Sequence, residues 1–332
     1  MTDQTATSAT RMAGSRGGVG VFMRNYASTI SLVLFIVALG AFFGLTTRGF
    51  FTMSNALIIL SSCAVIGIAS LGQTAAIVTG GFDLSISGLI PLGAIIFATS
   101  MNAGNGFLPS LGLVLLGGLV FGTVNGVLIT RLKINPLITT LGTLSIAVGV
   151  AQLIADGITV PFDDPAINIL AARSIGGVAN GVWFLLVLAV LFGLMLKFTT
   201  FGRSLYAIGG NAEASWLAGI RVERAVTSVY VLSGMLAAFA GAMLASQLLA
   251  GTTNLGTSAA LTAVTAVVLG GGALSGGSGS VVGTMLGVLI LGMFQNGLTI
   301  KQVDPFWQQI ATGAVLLIAV GISQIRQRRR RQ

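Results

Sequence analysis

Few side chains in this sequence can do chemistry, and they fall in clusters. Asp83 stands in GGFDLSISG, Gly80 to Gly88, and is the one acid placed deep among long apolar runs. A carboxylate near hydrocarbon is costly unless it finds donors or water, so such a residue is a candidate for function. Two roles are open to it. With Ser85 and Ser87 beside it, Asp83 can cap the next helix. It can also belong to a solute pathway or gate together with Gly80, Gly81 and Ser85. A second cluster, GGGALSGGSGS from Gly270 to Ser280, has the glycines of a phosphate loop but lacks its lysine. No G-x-x-x-x-G-K-[ST] occurs anywhere in the chain, so ATP hydrolysis by this chain is not expected. Gly270 and Gly271 suit close helix approach or a hinge.

A third set is neutral: Gln73, Asn125, Gln152, Gln247, Gln295 and Asn296 all fall within apolar runs. In lipid such groups bond to neighbouring helices. Facing a pore, they offer uncharged donors and acceptors suited to hydroxyls. The runs hold no Lys, Arg or Glu away from their ends, which argues against a proton-coupled pump and against a channel ringed by charge. Histidine is absent and Cys63 is the only cysteine, so the chain has no histidine relay, internal disulfide or thiolate metal cluster. Hydrolase, metal-site and redox motifs are missing. Neither an enzyme active site nor a resident cofactor is expected.

The fourth cluster is FGRSLYAIGGNAEASWLAGI, Phe201 to Ile220, inside the one long polar excursion of the chain. Gly209 and Gly210 are expected to break the incoming helix and Asn211 to N-cap a new one. Glu213 then sits in the first turn, where the macrodipole favours a carboxylate. Gly219 ends the helix after roughly 10 Å. A helix so short is not stable alone. It either docks to another protein or only joins two spans.

The elements that must hold these residues are membrane helices. Hydrophobic residues make up 54% of the 332 and charged residues only 8%, against about 25% charged in a soluble domain. Mean hydropathy is +0.96. Ten apolar segments span about 28–47, 56–79, 84–102, 108–130, 136–155, 183–199, 225–248, 258–270, 280–298 and 305–323. Most reach the roughly 20 residues that cross a bilayer. The third is glycine-rich and the eighth short, so eight to ten crossings are expected. The fold class is all-α, a polytopic helical bundle. It divides into a polar N-terminal segment at 1–27, a membrane-spanning core at 28–323 and a basic tail at 324–332.

Charge sets the orientation. With the N-terminus cytoplasmic, 14 of the 17 bases lie inside, and only Arg48, Arg173 and Lys301 lie outside. That split agrees with the positive-inside rule and places both termini in the cytoplasm. The final QIRQRRRRQ reads as an anchor to anionic lipid rather than a nucleic-acid contact. Outside, the long loop Asp156 to Val182 carries Asp163, Asp164 and Arg173, and the turn after Ile300 carries Lys301. These residues are either solvated or form a charged rim for a soluble partner. An internal echo links GTVNGVLITRLKINP (Gly122 to Pro136) with GMFQNGLTIKQVDP (Gly292 to Pro305) on opposite faces, as an inverted five-plus-five repeat would. A second echo, TAAIVTGG against TAVVLGGG, falls on one face and does not fit that scheme.

Four stretches carry a resemblance. GQTAAIVTGGFDLSISG, NGVLITRLKINPLITTLGT, FGRSLYAIGGNAEASWLAGI and AVVLGGGALSGGSGSVVGTMLGVLILGMFQNGL resemble the membrane permease subunits of bacterial ABC sugar importers of the ribose type. The match runs from about residue 28 to 323, with all four motifs in order. Permeases for branched-chain amino acids, nucleosides and autoinducer-2 share this architecture.

The resemblance implies a permease dimer, usually of identical copies, with a partner ATPase that holds ATP and Mg and a periplasmic sugar-binding protein. It implies the bacterial inner membrane. Gly210, Asn211, Glu213, Ala214, Trp216 and Gly219 then form the cytoplasmic coupling helix. This stretch departs from the stricter E-A-A-x-x-x-G loop of other importers, because Glu213-Ala214 is followed by Ser215. Gly80, Gly81, Asp83, Ser85, Asn125, Gly270, Gly271 and Asn296 belong to the pathway or gate. Asp163, Asp164, Arg173 and Lys301 receive the binding protein. The rivals are an ATP-independent facilitator and a scaffold without transport.

Overall fold

In a computed structural model, residues 18–163, 168–172 and 175–331 are described. Asp164 and Arg173 lie outside the described residues, as does most of segment 1–27. Thirteen α-helices and one two-stranded pairing make up the described chain. Seven helices are long and apolar enough to cross a membrane, and three shorter apolar helices complete the ten expected segments. The chain is a multi-pass helical membrane protein.

Helix α1 covers Gly18–Thr46, α2 Met53–Val78, α3 Ile86–Asn102, α4 Phe107–Thr130 and α5 Pro136–Ile154. After the short α6 (Asn168–Ala171) come α7 (Asn180–Phe198), α8 (Thr200–Gly210), α9 (Ala212–Leu217) and α10 (Val222–Leu248). Helices α11 (Ala259–Leu269), α12 (Val281–Ile300) and α13 (Pro305–Arg331) finish the chain. Helix α1 starts ten residues before the expected span, and α13 runs through the basic tail without a break. Expected boundaries at 28 and 324 are therefore not helix ends.

Helices α2, α3 and α10 are the buried centre. Twelve consecutive residues of α2, from Gly67 to Val78, are all buried. Small residues permit this packing, because lipid offers no hydrophobic gain and association relies on close contact. Gly118 and Gly122 of α4 lie against the backbone of α10 at Gly234 and Tyr230, and Gly93 of α3 lies against Ala238. Helix α12 repeats the device, with Gly283 on Gly270 and Gly287 on Ala266 of α11.

The two short helices have a common origin. The backbone amide of Ala260, at the start of α11, donates to Ser87 Oγ, at the start of α3, at 2.9 Å. From that buried meeting point α3 runs to the end of the bundle where Asn102 Nδ2 donates to the Pro161 carbonyl. Helix α11 runs the other way, to the end where Gly270 meets α12. Each is preceded by irregular backbone, 79–85 and 252–258. Such backbone is tolerated at membrane depth where protein buries it, and discontinuous helices of this kind are found in transporters. That is why the third and eighth segments are shorter than a full crossing.

Candidate functional site

The polar excursion begins at Thr199, whose side chain accepts from the Gly202 amide at 3.0 Å and N-caps α8. Helix α8 buries Leu205 and Ile208 and leaves Arg203 exposed. It does not break at Gly209 and Gly210, which are still helical. The break is at Asn211, whose backbone is extended at φ −161°. Asn211 Oδ1 then accepts from the Ala214 amide at 2.9 Å and starts α9. Glu213 stands exposed in the first turn, and Gly219 at φ +84° closes the segment. Only Ser215 of the six residues is buried. Trp216 and Leu217 are 67% and 73% exposed. A six-residue helix showing two large apolar side chains to water is a surface made for contact.

Residue 209 is a glycine for a reason that lies outside its own helix. A Cβ there would collide with the Val78 carbonyl oxygen at the end of α2 and with the Gly277 amide nitrogen in the loop between α11 and α12. That amide in turn donates to the Val78 carbonyl at 2.9 Å. Gly276, at φ +86°, is pressed against the Gly209 carbonyl and the Gly80 backbone. Tyr206 OH donates to the Gly279 carbonyl at 2.8 Å. Gly80, Gly209, Gly210, Gly276 and Gly277 thus meet at one backbone junction behind α9. Tyr206 is half-buried there, and burial pushes its phenol above the usual range. Gly270 sits nearby in sequence but serves a different contact, with Gly283 of α12, and Gly271 takes a turn at φ +92° with nothing within 4 Å of its missing Cβ.

Asp83 lies between the junction and the α3–α11 meeting point, fully buried. Ser85, not Asp83, occupies the N-cap position of α3, and its side chain makes no cap bond. Asp83 instead closes a turn two residues earlier: its Oδ1 accepts from the Ser85 amide at 3.0 Å and from Ser85 Oγ. Its Oδ2 accepts from Ser233 Oγ of α10 at 2.6 Å. Behind Ser85 the donors form a row. Thr143 Oγ1 of α5 donates to Asn125 Oδ1 at 2.7 Å, and Asn125 Nδ2 of α4 donates to Ser85 Oγ at 2.9 Å. Every bond points toward Asp83, as an acceptor-only carboxylate requires. Asp83 therefore ties α3 to α4, α5 and α10. Gly81 leaves space for Tyr230, whose OH donates to the Phe82 carbonyl at 3.2 Å.

Other expected site residues are separate. Asn296, in α12, exchanges two amide bonds with Asn55 of α2, at 3.0 and 2.8 Å. This pair is at the end of the bundle away from α9. Exposed Asp163 and Lys301 are at that same end, with Lys301 Nζ 5.2 Å from the Phe42 ring centre. Sequence reasoning missed Tyr206, Ser233, Tyr230 and Thr143. Their only signal was a hydroxyl in an otherwise apolar run.

A helical membrane bundle with irregular backbone buried at its centre is an architecture found among transporters. A family profile described as "Branched-chain amino acid transport system / permease component" matches residues 55–320. The chain belongs to that family. It is 34% identical to the L-arabinose ABC transporter permease protein of Azospirillum brasilense, over 96% of this chain and 93% of that one. It is 33% identical to the ribose import permease protein of Haemophilus influenzae, covering 91% and 94%. Identity is also 33% with the fructose import permease protein of Rhizobium meliloti, covering 91% and 87%. No solved structure matches.

Proposed function

We propose that this chain forms the membrane pathway of a bacterial importer for a monosaccharide, working as two copies with a separate ATPase and a periplasmic sugar-binding protein. The observation that carries the reading is α9: exposed, capped by Asn211, and rooted in the glycine junction at α2 and the α11–α12 loop. The relatives named for arabinose, ribose and fructose favour a sugar. ATP and its magnesium ion belong to the partner, which docks on Glu213, Trp216 and Leu217. Closure of the ATPase pushes α9. Because α8 has no side chain between it and Val78 or Gly277, that push reaches α2 and the α11–α12 loop as backbone displacement. The start of α3, held by Asp83 and Ser85, follows. The charge bias supports a cytoplasmic side for α9 and both termini at the inner membrane. Asp163 and Lys301 then face the binding protein.

The test is uptake by proteoliposomes that hold this chain with its ATPase and binding protein. Labelled L-arabinose, D-ribose, D-fructose and one nucleoside are supplied outside. Uptake of a sugar that needs both partners and ATP is the expected result. Nucleoside uptake alone, or flux without ATP, overturns it.

A further inference from the structure

Away from the junction, α2, α11, α12 and α13 enclose a cleft of about 250 Å³. It has room for about eight waters, or one small solute, at roughly 30 Å³ per water. Half of its twelve lining residues carry neutral hydrogen-bonding side chains: Ser62, Thr262, Gln295, Asn296, Thr299 and Gln308. None of the twelve is an acid or a base. Asn296 is engaged with Asn55, and Thr299 Oγ1 donates to Gln308 Oε1 at 3.3 Å. The Ser62 hydroxyl and the Gln295 amide, on α2 and α12, make no hydrogen bond to any described residue. Amides and hydroxyls both donate and accept, as a sugar hydroxyl does. An ionised solute would need a countercharge here.

The same face of α2 continues inward. Ile58, Ser62 and Ile66 line the cleft from α2. Helical spacing puts Gln73 and Ile77 on the same stripe, and Ile77 packs on Val264, Val267 and Val268 of α11. Gln73 is fully buried, and neither its Oε1 nor its Nε2 has a partner. Unpaired buried amides are rare, and each calls for an explanation. We infer that the cleft and Gln73 are successive stations for a neutral polyhydroxylated solute of monosaccharide size. Ser62 and Gln295 bind it first, and Gln73 receives it between α2 and α11. The inference rests on the importer reading above.

The test uses the whole complex in proteoliposomes. With Cys63→Ala as background, Ser62→Cys, Gln295→Cys and, as a control exposed on α7, Leu191→Cys are treated with a charged, membrane-impermeant methanethiosulfonate. Each sugar of the panel is present or absent. Uptake and thermal midpoint are measured for Gln73→Leu. The expected result is labelling at Ser62→Cys and Gln295→Cys but not at Leu191→Cys, slowed at least fivefold by the sugar that is taken up. Gln73→Leu should lose at least tenfold in uptake with an unchanged or higher midpoint. Labelling that the transported sugar does not slow, or full uptake by Gln73→Leu, overturns the inference. If the wild-type complex moves no sugar, the importer reading falls first. Protection by a sugar of the panel would then still support the cleft, and lack of protection would overturn it.

Discussion

At the junction behind α9, backbone meets backbone. Gly209, Gly276 and Gly80 leave no side chain between three elements, and the Gly277 amide closes on the Val78 carbonyl. At the cleft in the other half of the molecule, side chains face each other across about 250 Å³, and two of them have no partner. On the proposed reading, the difference separates a part that transmits displacement from a part that holds a solute. Contact without side chains has no rotamers to absorb a push, so movement at one element is passed to the next. A lining of amides and hydroxyls can exchange partners, which a passing solute requires. Asp83 sits between the two regions and belongs to neither kind: it is a fixed polar node with all its acceptor bonds made inside the protein.

The comparison breaks first at Gly209. Gly209→Ala places a methyl group against the Val78 carbonyl. We expect a loss of about 3 kcal/mol or more in the thermal unfolding of the detergent-solubilised chain, the upper range for overpacking, and no ATP-driven uptake. Gly149→Ala on α5, whose methyl group meets nothing within 4 Å, should change stability by less than about 1 kcal/mol. Equal behaviour of the two variants would show that the junction transmits nothing.

Asp83→Ala comes next. It strips the acceptor from Ser85 and Ser233 and should cost roughly 3 kcal/mol, since bonds to a charged group are worth about 1.5–3 kcal/mol each and the hydroxyls partly repair among themselves. Thermal unfolding that shifts by less than about 1 kcal/mol would remove Asp83 as the node joining α3 to α10.

A smaller effect sharpens the cleft. Asn55→Ala or Asn296→Ala should each cost about 1–2 kcal/mol, the upper range for hydrogen bonds between membrane helices. The double variant should lose little more than either single one. Additive losses would mean that the amide pair does not act as a unit.

The smallest effect is at the cap. Asn211→Ala should cost about 1 kcal/mol of α9 stability, read as weaker retention of the ATPase on an affinity column. Asn211→Asp or Asn211→Ser should restore it. Failure of both to restore it would mean that the Asn211 side chain does more than cap.

What could be read beforehand follows the range of the forces involved. The Asn211 cap and the Glu213 position were legible because an N-cap involves residues three apart. The helix break was misplaced at Gly209 and Gly210 because glycine signals backbone freedom, whereas here its missing Cβ admits α2. Asp83 stood out by charge alone. Its partners did not, because Ser233 is 150 residues away in the chain and no pattern pairs a lone serine with a distant acid.

The sequence by itself determined that this is a membrane protein of about ten apolar segments, with a basic end, a neutral interior and a short capped helix in its one polar excursion. Those properties follow from transfer free energies and local hydrogen bonds, which act over a few residues. Only the tertiary structure decided that α3 and α11 start from one buried point and run apart, and that glycines from three distant stretches close into one junction. It also decided that Gln73 is buried without a partner. Each of these depends on where helices cross, and crossings are set by the packing of many small residues at once rather than by any single motif.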